Sequence, residues 1–435
     1  MAMLKTWLTP LVSRWWLSES RLLARRQSAE KARARSGRPH TLHYFHQVDD
    51  PYAALLIQIL PQISARYEIH VVPHVVSAPD DAAAPERAAL MAWSRRDAQA
   101  LARPWGCWWD PAPQAPSPEA CRAEGLRLAA LAQSLDGPAW LAAARAGLGP
   151  LWQGHPIATS AVDEATWQAA CASGDRLRRQ WGHYLGGMLW YEGEWYWGLD
   201  RLQHLQTRLQ ALGLRRDGQH DLLGPAYPAL AFAPAAPHEP APPVLDFFFS
   251  LRSPYSALVT PRVLALARES GAQLRLRYVL PMVMRGLPVP SDKRRYIALD
   301  AAREARWHGV PFGCLQDPLG RPTERGLAVL AWAIGQGRGE AMLQGLMHGI
   351  WAQGADIGRD APLRRITEAA GLSWAGAQQA LRETAWRQQA EQNRQDLQAL
   401  GLWGVPSFRT DTCAVWGQDR LEQVRQALWQ ARRPS

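Results

Sequence analysis

The sequence predicts an α/β chain made of two modules of one plan. Each opens with a strand and a helix, continues through an all-helical insert, and closes with a β-hairpin and a helix. Three observations carry this. Residues 225–243 read "PAYPALAFAPAAPHEPAPP", and so many prolines exclude a regular helix or a central strand, which makes the stretch a linker between halves of similar length. The halves then begin alike: "TLHYFHQVDDPYAALL" from residue 41 aligns without gaps on "VLDFFFSLRSPYSALV" from residue 244, with Asp50, Pro51 and Tyr52 opposite Ser253, Pro254 and Tyr255. They also end alike, because "GGMLWYEGEWYWGLDRLQHL" corresponds to "GVPSFRTDTCAVWGQDRLEQV". That second alignment gives the later hairpin one residue more, sets Met188 opposite Pro406, and sets Asp200 opposite Asp419.

Each element has a local reason. The apolar runs "TLHYFH" and "VLDFFF" are strand-like in length and residue type. The Asp-Pro or Ser-Pro that follows places a side-chain acceptor at the N-cap and a proline at the first helical position, where its missing N–H costs nothing. The inserts, such as "AALAQSLDGPAWLAAARAGLG" and "RGLAVLAWAIGQGRGEAMLQGLMHGIWAQG", space their apolar residues at the helical period. Gly-x-Asp-Arg near each end marks the start of a last helix. The expected boundaries are a basic helical arm at 1–40, a first domain at 41–215, a Pro/Ala-rich linker at 216–243, and a second domain at 244–435.

Composition bounds the function. The 435 residues are 47% hydrophobic and 20% charged, an ordinary globular balance, and no apolar run approaches the roughly 20 residues that span a bilayer. Pro10 and Arg14 interrupt any signal-like core in "MAMLKTWLTPLVSRWW", so a soluble cytoplasmic protein is expected. Cys107, Cys121, Cys171, Cys314 and Cys413 are scattered, without a C-x-x-C or a zinc-type spacing, so neither a dithiol redox centre nor a metal is expected. Of the net charge of +10, residues 1–40 hold nine Lys/Arg against two Glu. Such an arm is more often a solvated helix face than a nucleic-acid site, and no nucleic acid is expected; Trp15 and Trp16 leave contact with a membrane surface open.

The second half resembles the thioredoxin-like DsbA superfamily, and within it the branch of 2-hydroxychromene-2-carboxylate isomerase and kappa-class glutathione transferase. The motifs are "DFFFSLRSPYSAL", "SDKRRYIALDAAREARWHGVPF", "WAQGADIGRDAPLRRITEAAGL", "GLWGVPSF" and "WGQDRL", in that order. The resemblance implies two tandem thioredoxin-like domains, the first a degenerate copy, with glutathione as the cofactor and a small electrophilic or aromatic substrate. It implies that Ser253 holds the glutathione thiolate, that Pro406 is a cis-proline leaving the backbone of Val405 to pair with the tripeptide, that Asp419 takes the glutamyl ammonium, and that Lys293 takes the glycyl carboxylate. It places Tyr255 and Asn393 at the substrate pocket. One departure stands out: the family has Asn after the glycine at 286, and this chain has Leu287.

Each residue also has a plain structural reading. Ser253 and Asp419 suit helix caps, Lys293 lies in a charge run, Tyr255 suits a core wall, and His308 suits a surface position. Weighed together, the motifs favour a glutathione-dependent isomerase or transferase. The alternative is a non-catalytic two-module scaffold, and a thiol-disulfide oxidoreductase is disfavoured because S-P-Y-S replaces the dithiol. The sequence does not set the oligomeric state.

Overall fold

The computed structural model describes residues 2–132, 134–157, 164–219, 223–232 and 242–432, with side chains from residue 9 onward. The expected linker at 216–243 therefore lies partly outside the described residues. The chain divides into two compact units. One comprises residues 23–227 with 290–296, the other residues 1–22, 228–289 and 297–435.

The arm divides between them. Helix α1 (Ala2–Trp16) belongs to the second-half unit and α2 (Glu19–Arg35) lies mainly in the first-half unit. Specific contacts account for this. Leu315 N donates to Ser13 Oγ at 2.9 Å, whereas Arg26 forms a two-pronged ion pair with Glu194 at 2.6 and 2.9 Å.

The first-half unit continues through β1 (Thr41–His46), α3 (Pro51–Arg66) and β2 (His70–Val75). An insert follows: α4 (Arg87–Ala102), α5 (Pro118–Leu131), α6 (Gly137–Ala146), α7 (Leu148–Gln153) and α8 (Glu164–Gln180). It closes with β3 (Met188–Tyr191), β4 (Glu194–Trp197) and α9 (Leu202–Ala211). The second-half unit runs β5 (Val244–Phe249), α10 (Pro254–Ser270) and β6 (Gln273–Tyr278). Its helices are α11 (Ser291–Trp307), α12 (Arg321–Gly335), α13 (Gly339–Ala352), α14 (Asp360–Ala369), α15 (Trp374–Ala380) and α16 (Ala385–Ala399), and it ends in β7 (Ser407–Arg409), β8 (Ala414–Trp416) and α17 (Leu421–Ala431).

The two sheets share one topology, in the orders β2-β1-β3-β4 and β6-β5-β7-β8. In each, the first strand pairs parallel with the second across a helix and antiparallel with the third. A parallel pair needs a crossover, and α3 and α10 supply it. Leu42, Tyr44, Leu55, Leu56, Leu189 and Tyr196 are fully buried in the first core. In the second, Phe247 and Phe408 sit directly opposite across β5 and β7 and stack with centroids 5.4 Å apart, a contact worth about 0.5–1.5 kcal/mol beyond its area.

Strand register corrects the hairpin alignment. Phe45 pairs with Met188, and Phe248 with Ser407. Gly198 N donates to Gly187 O at 3.0 Å, and Gly417 N to Pro406 O at 2.8 Å. Met188 thus stands opposite Ser407, Gly187 stands opposite Pro406, and the hairpins are equal in length: Met188 pairs with Trp197 and Ser407 with Trp416. Pairing fixes register residue by residue, whereas the sequences alone offer a glycine on either side of the first hairpin strand to align.

Candidate active site

The site is built where β5 hands over to α10. The connecting loop is pinned by Arg252, which grips Asp317 through two hydrogen bonds of 2.7 and 2.8 Å, and by Trp351 Nε1, which donates to Leu251 O at 3.0 Å. Ser253 then takes an extended backbone (φ −95°, ψ 114°) and caps the 17-residue α10, its Oγ accepting from Ser256 N at 3.1 Å. Pro254 follows at the first helical position. The cap role is therefore present. It uses an oxygen lone pair and leaves the hydroxyl proton for another acceptor.

That proton points to the next loop. Ser253 Oγ donates to Val405 O at 3.4 Å, close to the outer limit for such a bond. The Val405–Pro406 peptide is cis. The loop is held from behind by Ser407 Oγ donating to Gly404 O at 2.7 Å. Gly404 is required because a Cβ there would lie 2.7 Å from the indole of Trp416. The structure thus brings Ser253, Val405 and Pro406 together at the positive end of a helix, where an anion is favoured. Ser256, one turn on, is fully buried, and its Oγ has no hydrogen-bond partner.

Tyr255 donates its hydroxyl to Asp300 Oδ2 at 2.7 Å. Asp300 is 2% exposed and also accepts from Arg303 at 2.6 Å. Asp419 sits in the 3-10 turn Gln418–Arg420 that leads into α17, and its Oδ1 accepts from Gln418 Nε2. Gln418 is fixed on both sides: Arg262 of α10 donates to its Oε1 at 2.6 Å, and its Nε2 donates to Glu304 of α11 at 2.7 Å. Burial holds the Arg262 guanidinium below its usual range, with Asp419 and Glu304 opposing that shift. Gln418, Glu304 and Arg262 were not singled out from the sequence. The available signal was Asp300, Glu304 and His308 at four-residue spacing on one helical face; His308 Nε2 lies 3.6 Å from Glu304 Oε2.

Two further expected site residues bond backbone carbonyls. Asn393 is fully buried in α16, where its Nδ2 donates to Tyr278 O at 2.9 Å and its Oδ1 accepts from Gln389 at 3.0 Å. Its amide ties α16 to the end of β6. Lys293, in the first turn of α11, belongs to the first-half unit and donates to Ala83 O at 2.8 Å. Burial pushes its pKa down to about 8.

In the first-half unit, Asp50 caps α3 with φ −94° and ψ 117°, accepting from Tyr52 N at 3.0 Å. Burial pushes its carboxyl up to about 7, although the N–H groups of Tyr52 and Ala53 act the other way. A Cβ at position 187 would lie 2.7 Å from Asp50 Oδ2, and Gly187 has φ +60°. Glycine thus admits the carboxyl where the second half has a serine and a proline. Tyr52 donates to Asp97 Oδ2 at 2.8 Å, the counterpart of the Tyr255–Asp300 bond.

Residues 244–429 match the family described as DSBA-like thioredoxin domain. Two relatives are each called 2-hydroxychromene-2-carboxylate isomerase. The protein from Sphingobium xenophagum is 27% identical over 192 residues, covering 42% of this chain and 97% of the relative; that from Pseudomonas putida is 21% identical over 193 residues, covering 42% and 94%. Similar solved structures include a 2-hydroxychromene-2-carboxylate isomerase, at 20% identity with a TM-score of 0.38 over 43% of this chain and 95% of that one. The cytosolic disulfide reductase DsbM from Pseudomonas aeruginosa is 21% identical, with a TM-score of 0.35 over 43% and 95%. The second half of this chain is a DSBA-like thioredoxin domain.

Proposed function

We propose that the second half is a glutathione-dependent isomerase or transferase of the 2-hydroxychromene-2-carboxylate isomerase type, working in the cytoplasm on a small electrophilic aromatic substrate. The observation that carries this reading is the Ser253 hydroxyl, which caps α10 with its oxygen while its proton is held only by a 3.4 Å contact to Val405 O. A thiolate arriving at the helix N-terminus would be a stronger acceptor than that carbonyl, since hydrogen bonds to an ionised partner are about twice as strong. The names of the two relatives support the same reading.

In this reading the cis-proline loop offers the backbone of Val405 to the extended tripeptide as an added strand. Asp419, presented by Gln418, takes the ammonium. Lys293 gives one of its three ammonium N–H groups to Ala83 O. The thiolate adds to an electrophilic carbon conjugated to a carbonyl, and the displaced electron pair rests on the carbonyl oxygen. The former double bond turns, the pair returns, and the thiolate leaves. No oxidant is consumed, and one barrier is divided into two. The first-half unit, with the same sheet order but Asp50 and Gly187 in place of Ser253 and Pro406, is a degenerate copy that binds no glutathione.

The test is titration calorimetry of the full chain with glutathione, followed by ultraviolet titration of the bound thiol. Ser253→Ala should raise the bound thiol's pKa by about 1–2 units, the equivalent of a charge-assisted hydrogen bond of roughly 1.5–3 kcal/mol. No heat of binding, or an unchanged thiol titration, returns Ser253 to a cap and favours the scaffold reading, to which Leu287 in place of the family asparagine would then belong.

A further inference from the structure

Over its described side chains, from residue 9 on, helix α1 packs one side and exposes another. Ser13 and Leu17, the residue that follows the helix, are 9% and 4% exposed. Ser13 Oγ accepts from Leu315 N, and Leu17 O accepts from Arg306 at 3.0 Å. Turned away from them, Leu11, Val12 and Trp15 are 64%, 56% and 56% exposed. Residues 11, 12 and 15 fall on one side of a helix, opposite 13 and 17. The Arg21 guanidinium lies 4.0 Å from the centre of the Trp15 ring, and Arg14 is exposed beside it. A cluster of large apolar side chains set among cations is an interaction surface and not a solvated face.

Charge selects the partner. A second copy laid on this face would bring together two segments that, in residues 1–22, each hold Lys5, Arg14 and Arg21 against a single Glu. A nucleic acid would satisfy the cations but offers nothing to Leu11 and Val12. An anionic lipid surface offers both counter-charge and an acyl boundary. The helix has 15 residues, so it rises about 22 Å, short of the roughly 30 Å hydrocarbon core. Among the described residues no helix is long and apolar enough to cross a membrane. We propose that α1 lies along the surface of an anionic bilayer, with Leu11, Val12 and Trp15 in the headgroup boundary and Arg14 and Arg21 on the lipid phosphates.

The experiment is co-sedimentation of the full chain with vesicles of equimolar phosphatidylcholine and phosphatidylglycerol, and with phosphatidylcholine alone. The expected result is partition into the anionic vesicles at least about tenfold above the neutral ones, weakening as sodium chloride rises from about 0.1 to about 0.5 M. Leu11→Ser with Trp15→Ser should lower that partition about tenfold. Arg14→Glu with Arg21→Glu, which keeps the apolar face, should erase the preference for anionic lipid. Circular dichroism of both variants should match the parent. The proposal is overturned if the parent stays in the supernatant, if the Ser variant sediments like the parent, or if light scattering shows a dimer that the Ser variant dissolves, which would assign the face to a second copy.

Discussion

Asp50 and Ser253 cap their helices from nearly identical backbones, at φ/ψ of −94°/117° and −95°/114°, yet the ground around them differs. Beside Ser253 stands a cis-proline loop, and beside Asp50 stands a glycine with positive φ whose missing Cβ leaves room for a carboxyl. The tyrosine two residues on is treated alike in both units: Tyr52 and Tyr255 each bond an aspartate on an insert helix, and both aspartates are 2% exposed. The latch is present in both units, and a serine cap beside a cis-proline loop is present in one. The framework and the residues at the helix N-terminus therefore vary independently in this chain, and the Asp50–Gly187 pair reads as a coupled exchange, since either residue alone would clash or leave a gap.

The latch should show the largest effect. Asp300→Ala takes from the buried Arg303 guanidinium and the half-buried Tyr255 hydroxyl the carboxylate they share, at a cost of about 3–5 kcal/mol. Hydrogen exchange of α10 amides is the suitable reading, because a chain with two cores has no single unfolding transition. Protection in α10 that survives the substitution would break the parallel between the latches.

Next comes the coupled exchange. Gly187→Ala forces a Cβ against Asp50 Oδ2 at positive φ and should destabilise the first-half unit by about 2–3 kcal/mol. Asp50→Ser in the same chain should recover part of that loss. A double-mutant cycle with no coupling would show that Gly187 is glycine for its backbone angle alone.

The smallest effect is electrostatic. Burial raises Asp50 to about 7, so its contribution is fully present below the usual carboxylate range, near 4, and is lost as pH rises through about 7. Asp50 keeps some solvent access, which reduces the effect to about 1–2 kcal/mol. His43, His46 and His74, lowered by burial to about 4, 3 and 4, act oppositely, since their contribution is lost as pH falls below the usual imidazole range. The measurement is therefore the difference between parent and Asp50→Asn in α3 exchange rates at pH 5 and pH 8, with the variant gaining relative stability at the higher pH. A constant difference would place the Asp50 carboxyl in an ordinary solvated setting.

Much of the fold was legible because its signals are short-range. Strand, cap, Pro-Tyr and helix fall within some sixteen residues at the start of each half, and Gly-x-Asp-Arg fixes each end. The hairpin was misread by one residue because both flanks offer a glycine to align, and only the Phe45–Met188 and Phe248–Ser407 pairings decide between them. Ser253, Val405 and Pro406 were visible through their motifs. The contacts of Lys293 and Asn393 were not: the first meets a carbonyl 210 residues away and the second a carbonyl 115 residues away. Nothing local in "SDKRRY" or "EQNRQD" encodes such partners. Gln418 was missed for a related reason, since a glutamine beside an aspartate becomes informative only once Arg262 and Glu304 are seen to hold it.

The sealed position of Ser256 gives the S-P-Y-S turn a direction. Ser253 is partly accessible, whereas Ser256 is wholly enclosed. Were both replaced by cysteine, an outside reagent would meet the outer sulfur and find the inner one enclosed. The turn would then show one sulfur to the outside and withhold the other.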